Sequence, residues 1–329
     1  MIEILSTGAQ TTVRDLGRVG ALQWGVGTSG AMDNLALSGG NLLAGNDEDA
    51  AGIEIQVFPF KVRFTDDCTF AVTGADCKAR LDGRDLPPWW VQTATTGQVL
   101  ELGLPAMGPL RASRAYLCLA GGIDVPTVLG SRATQLRGAF GGLEGRPLRD
   151  GDLIATCAVP ARSIGAGFGL VPPILDMPLT IGGTLAVRVL PAAEYADYTD
   201  ASRAALWETE WRITPQSDRY GYRLEGTSLI PGAPLELRSH GIVPGVIQVP
   251  HGGQPIVQMR DAQPSGGYPK IGTVIEADLW RLGQAPIGSR LRLIETTWDE
   301  AVAALEQNGR WLSEARRLVA LNRLRMGNT

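Results

Sequence analysis

Chain breakers constrain this protein more than any other feature: 42 glycines and 21 prolines are spread through 329 residues. Stretches with helical apolar spacing are few, so the chain reads as many short strands joined by tight turns. Its length allows a sizeable core in one large or two medium domains. Val159–Pro178 carries prolines and glycines with little periodicity and reads as a connection between two β-rich halves. The expected division is therefore an N-terminal lobe over 1–165 and a C-terminal lobe over 166–329, the latter carrying the C-terminal helices.

Local patterns place the elements. Strands are expected at Ile2–Leu5, Gly52–Val57, Lys61–Phe64, Thr69–Val72, Lys78–Leu81, Gln98–Leu102, Arg114–Ala120 and Leu185–Leu190. Asp82-Gly83 is a hairpin signal. Asp33 suits the N-cap of a helix over Asn34–Ala44, with Gly45 as its stop. Ala204, Trp207 and Trp211 recur at helical spacing and predict a helix over Ala201–Trp211. Thr297-Trp298-Asp299-Glu300 is a capping-box pattern opening a helix through about Gln307. Asn308-Gly309 then reads as its end, before a last helix with Trp311, Leu312, Ala315, Leu318 and Val319 on one face. Arg316, Arg317, Arg323 and Arg325 read as a solvated face.

Composition excludes several function classes. A formal charge of −4 lacks the basic footprint of a nucleic-acid binder. No apolar run approaches the ~18 residues of a membrane span. The N-terminus shows no signal-peptide pattern, so a cytoplasmic protein is expected. Cys68, Cys77, Cys118 and Cys157 lack metal or redox spacing, and three sit in apolar surroundings as reduced cysteines do. With His240 and His251 as the two histidines, no metal site is expected and a Ser-His-Asp triad is unsupported.

The densest chemistry lies in Asp261-Ala262-Gln263-Pro264-Ser265-Gly266-Gly267-Tyr268-Pro269-Lys270. Apolar segments Pro255-Ile256-Val257 and Ile271 to Ile275 flank it, making it a polar loop between strands, a common setting for binding sites. Gly266-Gly267 permits φ > 0 or close approach of another molecule, and its N–H groups offer an anion nest. An ordinary tight turn is the alternative. Asp261 also suits an Asx turn stabilising its own loop.

A second segment near the N-terminus, Thr11-Thr12-Val13-Arg14-Asp15-Leu16-Gly17-Arg18 followed by Gly25 to Asp33, complements this loop. Together they resemble the family called 5-oxoprolinase C subunit, KipA, allophanate hydrolase subunit 2 or biotin-dependent carboxyltransferase. Collinear matches continue at Asn41 to Asn46, Ala71 to Ala75, Tyr116 to Pro126, Leu129 to Arg132, Gly141 to Arg146 and Ser217 to Leu224. The resemblance covers nearly the whole chain. It implies a mainly β protein with a few helices, built as two cyclophilin-like β-barrel lobes. One departure stands out: the family's Thr-Thr before Gly-Gly-Tyr-Pro is Pro264-Ser265 here, which removes a hydroxyl and a backbone donor.

For a small amide-like substrate the candidates divide into two groups. Asp15, Asp33 and Lys270 are candidate catalytic residues: the carboxylates as base or orienting group, the ammonium as a holder of developing oxygen charge. Arg18, Gln263, Ser265, Gly266, Gly267 and Tyr268 are candidate substrate-binding residues, and the two segments are expected to share a cleft. Asp33 serves equally as a helix cap, and Asp15 with Arg18 as a surface ion pair.

The chain lacks a P-loop, a Rossmann fingerprint, a biotin-attachment site and an amidase signature. By resemblance, then, it is the C subunit of an ATP-dependent 5-oxoprolinase, a hydrolase complex. That complex opens the 5-oxoproline lactam to glutamate, with the A and B subunits, the latter KipI-like, supplying what this chain lacks. The alternatives are the carboxyltransferase subunit of a biotin-dependent urea or amide carboxylase, and a non-enzymatic KipA-like antagonist of a KipI-like kinase inhibitor. ATP is thus expected through the complex, biotin only under the second reading.

Overall fold

The computed structural model describes residues 1–107, 112–158, 164 and 167–326. The described chain is mainly β, as the breakers predict, and forms two compact units. The first unit is Met1–Arg18, Ser29–Asp176 and Gly309–Thr329, and the second is Val19–Thr28 and Met177–Asn308. Each unit thus takes a segment from the other half of the sequence, Val19–Thr28 in the second unit and Gly309–Thr329 in the first. Of the expected connection, residues 159–163, 165 and 166 lie outside the described residues. Phe168–Gly169, just beyond them, still pairs with Trp90–Ala94 inside the first unit.

In the first unit two six-stranded sheets face each other. One sheet runs Leu153–Ile154, Ile2–Ser6, Phe60–Phe64, Val99–Leu102, Arg80–Leu81, Arg84–Asp85; the other runs Phe168–Gly169, Trp90–Ala94, Cys68–Gly74, Ala115–Leu119, Gly52–Ile55, Thr12–Arg14. Alternation makes the core: Ile2, Ile4, Phe60, Val62 and Phe64 from one sheet meet Ile53, Ile55, Phe70, Val72, Leu117 and Leu119 from the other. The second sheet is covered on its far face too, by helix Asn34–Ala44, so Ala115–Leu119 is buried at every position. That double cover explains why the strand reads as an unbroken apolar run. The helix sits close because Gly40 lacks a side chain: a Cβ there would lie 2.7 Å from Cys118 Sγ and 2.8 Å from Thr73 Oγ1.

The second unit closes on itself. Strands Thr184–Pro191, Lys270–Val274, Val246–Gln248, Ile256–Gln258, Gly221–Glu225, Trp211–Ile213 and Arg290–Glu295 form a ring, completed by parallel pairing of the last with the first. Closure leaves no free edge among these strands.

Two helix expectations are corrected. The helix opening near Ala201 spans Asp200–Glu208 and stops before Trp211, which starts a barrel strand. The Trp211 ring is fully buried there and its Nε1 donates to the Leu206 carbonyl at 3.1 Å, so tertiary burial overrides its helical spacing. The C-terminal region is one helix, Trp298–Met326, not two. Its capping box forms, with Glu300 N–H on Thr297 Oγ1 at 3.3 Å and Thr297 N–H on Glu300 Oε2 at 2.9 Å. Asn308 does not end the helix because its side chain donates outward, to the Ala277 carbonyl at 2.9 Å. Gly309 costs an interior helix only about 1 kcal/mol. The expected solvated arginine face is also partly engaged: Arg323 donates to the Leu43 carbonyl, and Arg316 pairs with Glu48.

Candidate functional site

The loop Asp261–Lys270 lies between two barrel strands, and a cleft of about 780 Å³ opens beside it. Gln263, Ser265, Gly266, Gly267 and Tyr268 all line this cleft, with Gln263, Ser265 and Tyr268 exposed. The start of the loop is clamped. Asp261, almost fully buried, takes two bonds of 3.1 Å from the equally buried Arg219. Its N–H also donates to the Arg219 carbonyl at 2.9 Å. Asp261 is thus an ion-pair anchor, and not only a turn residue.

The Gly-Gly pair is used differently from the expectation of φ > 0. Neither glycine is among the residues with positive φ. Ser265–Gly266 instead pairs as a short strand with His240–Gly241, which is not the alternating geometry of an anion nest. Glycine at 266 leaves room for the Gln248 amide: a Cβ there would stand 2.5 Å from Gln248 Nε2 and push that side chain aside.

Several cleft residues were not singled out from the sequence. Gln248 and Gln258 are buried, line the cleft and bond to each other, Gln258 Nε2 donating to Gln248 Oε1 at 3.1 Å. Gln248 Nε2 lies 3.5 Å from the Tyr268 carbonyl, tying the pair to the loop. The signal was present: Val246-Ile247-Gln248 and Ile256-Val257-Gln258 each end an apolar strand on an amide, and a buried amide needs partners. The stretch Ser217–Leu224 adds Asp218, Tyr220 and Arg223 to the lining, and His251 joins them with its ring edge-on to Tyr268 at 6.2 Å.

The other candidates lie elsewhere. Lys270 is 9% exposed, its Nζ 3.3 Å from Glu194 Oε1, and it is not among the cleft-lining residues. In the first unit Asp33 caps its helix, accepting from Ala36 N–H at 2.9 Å, while its own N–H donates to Tyr116 Oη at 2.8 Å. Asp15 accepts from Ser131 Oγ at 2.7 Å, from Gly17 N–H at 2.8 Å and from Arg132 N–H, at the border of a separate hollow of about 420 Å³. Arg18 is fully buried, donating to the Val128 and Ala133 carbonyls with its guanidinium 4.9 Å from the Phe140 ring centroid. Asp15 and Arg18 are therefore interior groups, which corrects their reading as a surface pair. Of the N-terminal segment, Val19–Thr28 belongs with the Asp261 loop in the second unit. Thr28 Oγ1 donates to the Arg260 carbonyl at 3.2 Å, and a Cβ on Gly27 would stand 2.8 Å from the Ala262 carbonyl oxygen.

The cleft is rich in amides and hydroxyls and poor in cations. Arg223 faces Asp218 and Glu236 in the charge balance, and the remaining polar lining is glutamine, serine and tyrosine side chains with the His251 ring. Such a lining suits a small neutral or singly charged amide held by directional bonds. It does not suit a polyphosphate, which calls for clustered cations or an oriented set of backbone N–H groups.

A unit of paired sheets and a closed barrel with this polar cleft make the architecture of a carboxyltransferase domain. The family model for the carboxyltransferase domain, subdomains A and B, matches residues 24–295, and the chain belongs to that family. It is 42% identical to the 5-oxoprolinase C subunit of Escherichia coli over 95% of this chain and 97% of that protein. The corresponding Haemophilus influenzae protein is 38% identical over 97% and 99% of the two chains. Among solved structures, the K. lactis urea amidolyase superposes with a TM-score of 0.86 at 25% identity, covering 95% of this chain but 20% of the amidolyase. Among the described residues no helix is long and apolar enough to cross a membrane.

Proposed function

We propose that this chain is the C subunit of an ATP-dependent 5-oxoprolinase that opens the lactam of 5-oxoproline to glutamate, working with the A and B subunits of the complex, the latter KipI-like. The observation that carries the reading is the end-to-end relationship with the 5-oxoprolinase C subunit, 42% identical over 97% of the Escherichia coli protein. The cleft supports it chemically. A lactam presents one N–H and one carbonyl, which the Gln248–Gln258 amides and the loop hydroxyls complement, while Arg223 complements the substrate carboxylate.

A lactam is a stable amide, and ATP supplies the activation by phosphorylating its oxygen before water attacks. The cation-poor cleft does not fit the triphosphate, so this chain's part is to bind and orient the amide while a partner brings the nucleotide. The isolated chain is accordingly expected to be inactive, and a cytoplasmic location goes with this use of ATP. The test is ATP-dependent glutamate release from 5-oxoproline by the reconstituted complex, with each subunit omitted in turn. Turnover by this chain alone would overturn the division of labour.

Two observations favour a second reading: the family model is that of a carboxyltransferase domain, and the chain superposes on a urea amidolyase. Under it the same cleft takes urea or a related amide and receives carboxylate from carboxybiotin on a partner. A complex that releases no glutamate but carboxylates urea in the presence of a biotinylated carrier would select it.

A further inference from the structure

Part of the cleft wall is one face of three barrel strands. Register sets Gln248 and Arg223 on either side of Ile256, and Gly221 opposite Gln258. All five residues line the cleft, while the alternate residues Ile247, Val257, Tyr222 and Leu224 are buried. Gln248 and Gln258 therefore sit diagonally on that face, where long side chains can meet. The direction of their hydrogen bond is set from one end. The Tyr268 carbonyl can only accept, so the Gln248 group turned to it, at 3.5 Å, is Nε2. Gln248 Oε1 is thereby left to accept, and Gln258 Nε2 donates to it at 3.1 Å. Turning either amide over would set like groups face to face.

The relay ends on Gln258 Oε1. Among the described residues no donor is bonded to that oxygen, yet it is not one of the fully buried unpaired polar atoms. It is therefore accessible, on a residue that lines the cleft. The position opposite Gln258 adds a second observation. Gly221 has no positive φ, so its backbone does not demand glycine. A strand glycine of this kind often marks the close approach of another molecule. We propose that Gln258 is a specificity-determining residue of the cleft, its Oε1 accepting from the N–H of the substrate amide. A lactam with a free N–H satisfies that oxygen, whereas a lactone sets a second acceptor against it and leaves both unpaired. Gln248 is the positioning residue, because it denies Gln258 the choice of offering Nε2 instead. The inference rests on the oxoprolinase reading for the identity of the substrate.

The experiment measures, by titration calorimetry on the reconstituted complex without ATP, binding of 5-oxoproline and of its lactone analogue, in which oxygen replaces the ring N–H. Wild type should prefer the lactam about tenfold, the worth of one hydrogen bond. Gln258→Met keeps the length of the side chain and removes its amide, so the preference should fall to near unity through loss of lactam affinity. Gln248→Met leaves Gln258 in place but frees its amide to turn, and should erase the preference by improving the lactone. A merely structural loss would weaken both ligands alike. Gly221→Ala is the check on the gap. Its Cβ would meet Ile256 Cγ2 at 3.0 Å and the Val257 carbonyl oxygen at 3.5 Å, so it should fold and weaken 5-oxoproline by filling the space beside Oε1. Equal affinity of wild type for lactam and lactone overturns the inference, as does a preference that survives in Gln258→Met. Should Gln258→Met not fold, a preference unchanged in Gln248→Met and a lactam affinity unchanged in Gly221→Ala overturn it equally. Glutamate release by the same complex with ATP is the separate arm. Release together with a Gln258-dependent preference supports both ideas. Release without that preference sinks the role of Gln258 alone. A Gln258-dependent preference without release keeps the residue's role and sinks the oxoprolinase reading. Binding of neither ligand and no release sinks both.

Discussion

The two units spend their polar residues differently. In the first, the charged groups of the N-terminal segment are consumed by the fold. Arg14 donates to the Ser29 and Thr134 carbonyls at 2.9 and 2.6 Å, Arg18 to two other carbonyls, and Asp15 and Asp33 hold backbone N–H groups. In the second unit the buried charges do similar work, with Arg219 on Asp261 and with Arg188 and Arg281 on Asp278. Yet beside that framework Gln263, Ser265 and Tyr268 remain exposed at a cleft. The difference teaches that residue type does not mark a site. What marks it is a polar side chain whose surroundings leave it available while its backbone is held.

The clamp on the barrel loop is where this contrast breaks hardest. Asp261→Ala leaves Arg219 buried without its carboxylate, which costs about 3–5 kcal/mol. Urea unfolding should show that loss, and Arg219→Met combined with Asp261→Leu should recover most of it, because apolar replacement of a buried pair is near neutral. A loss below about 1 kcal/mol would mean that the loop holds its place without the clamp.

Lys270 sharpens the comparison from inside the same loop. Its ammonium lies 3.3 Å from Glu194 Oε1, and Lys270 is not among the residues that line the cleft. Lys270→Ala should lower stability by about 2 kcal/mol, through a partly buried carboxylate left without its cation, and spare the turnover of the folded complex. If turnover instead fell a hundredfold or more at unchanged stability, the ammonium would belong to the chemistry as an oxyanion holder.

Much of the fold was legible. Asn34–Ala44 stands with its bounds as expected, because Asp33 and Gly45 are unambiguous caps and local geometry decides them. The strands flanking the loop were legible for the same reason, since β-prone apolar runs ended at turn residues. The single C-terminal helix was not, because Asn308 is a stop signal locally and a tertiary donor in place. Trp211 misled in the same way. At the cleft the loop residues were legible by their density of functional groups, whereas Gln248 and Gln258 were hidden. Their role depends on two strands meeting side by side, with Ile247 opposite Val257, a pairing that no single stretch of sequence states. The use of Gly266 was misjudged because the crowding partner, Gln248, lies well before it in the chain.

The smallest effect tests the first unit's side of the contrast. Asp33 has one oxygen on the Ala36 N–H and sits beside Tyr116, whose phenol donates to Glu54 at 2.8 Å. Burial and the nearby Glu54 and Asp33 carboxylates hold that phenol well above its ordinary ionisation range, so it stays a neutral link between helix and sheet. If Asp33 is a cap, Asp33→Ala should cost about 1 kcal/mol, and Asp33→Ser or Asp33→Asn, which keep a capping oxygen, much less. Turnover of the reconstituted complex should follow none of these changes. A base would behave in the opposite way: Asp33→Asn would abolish turnover as fully as alanine while leaving the melting temperature nearly untouched. The asparagine variant therefore decides between the two, because it keeps the cap and removes the base.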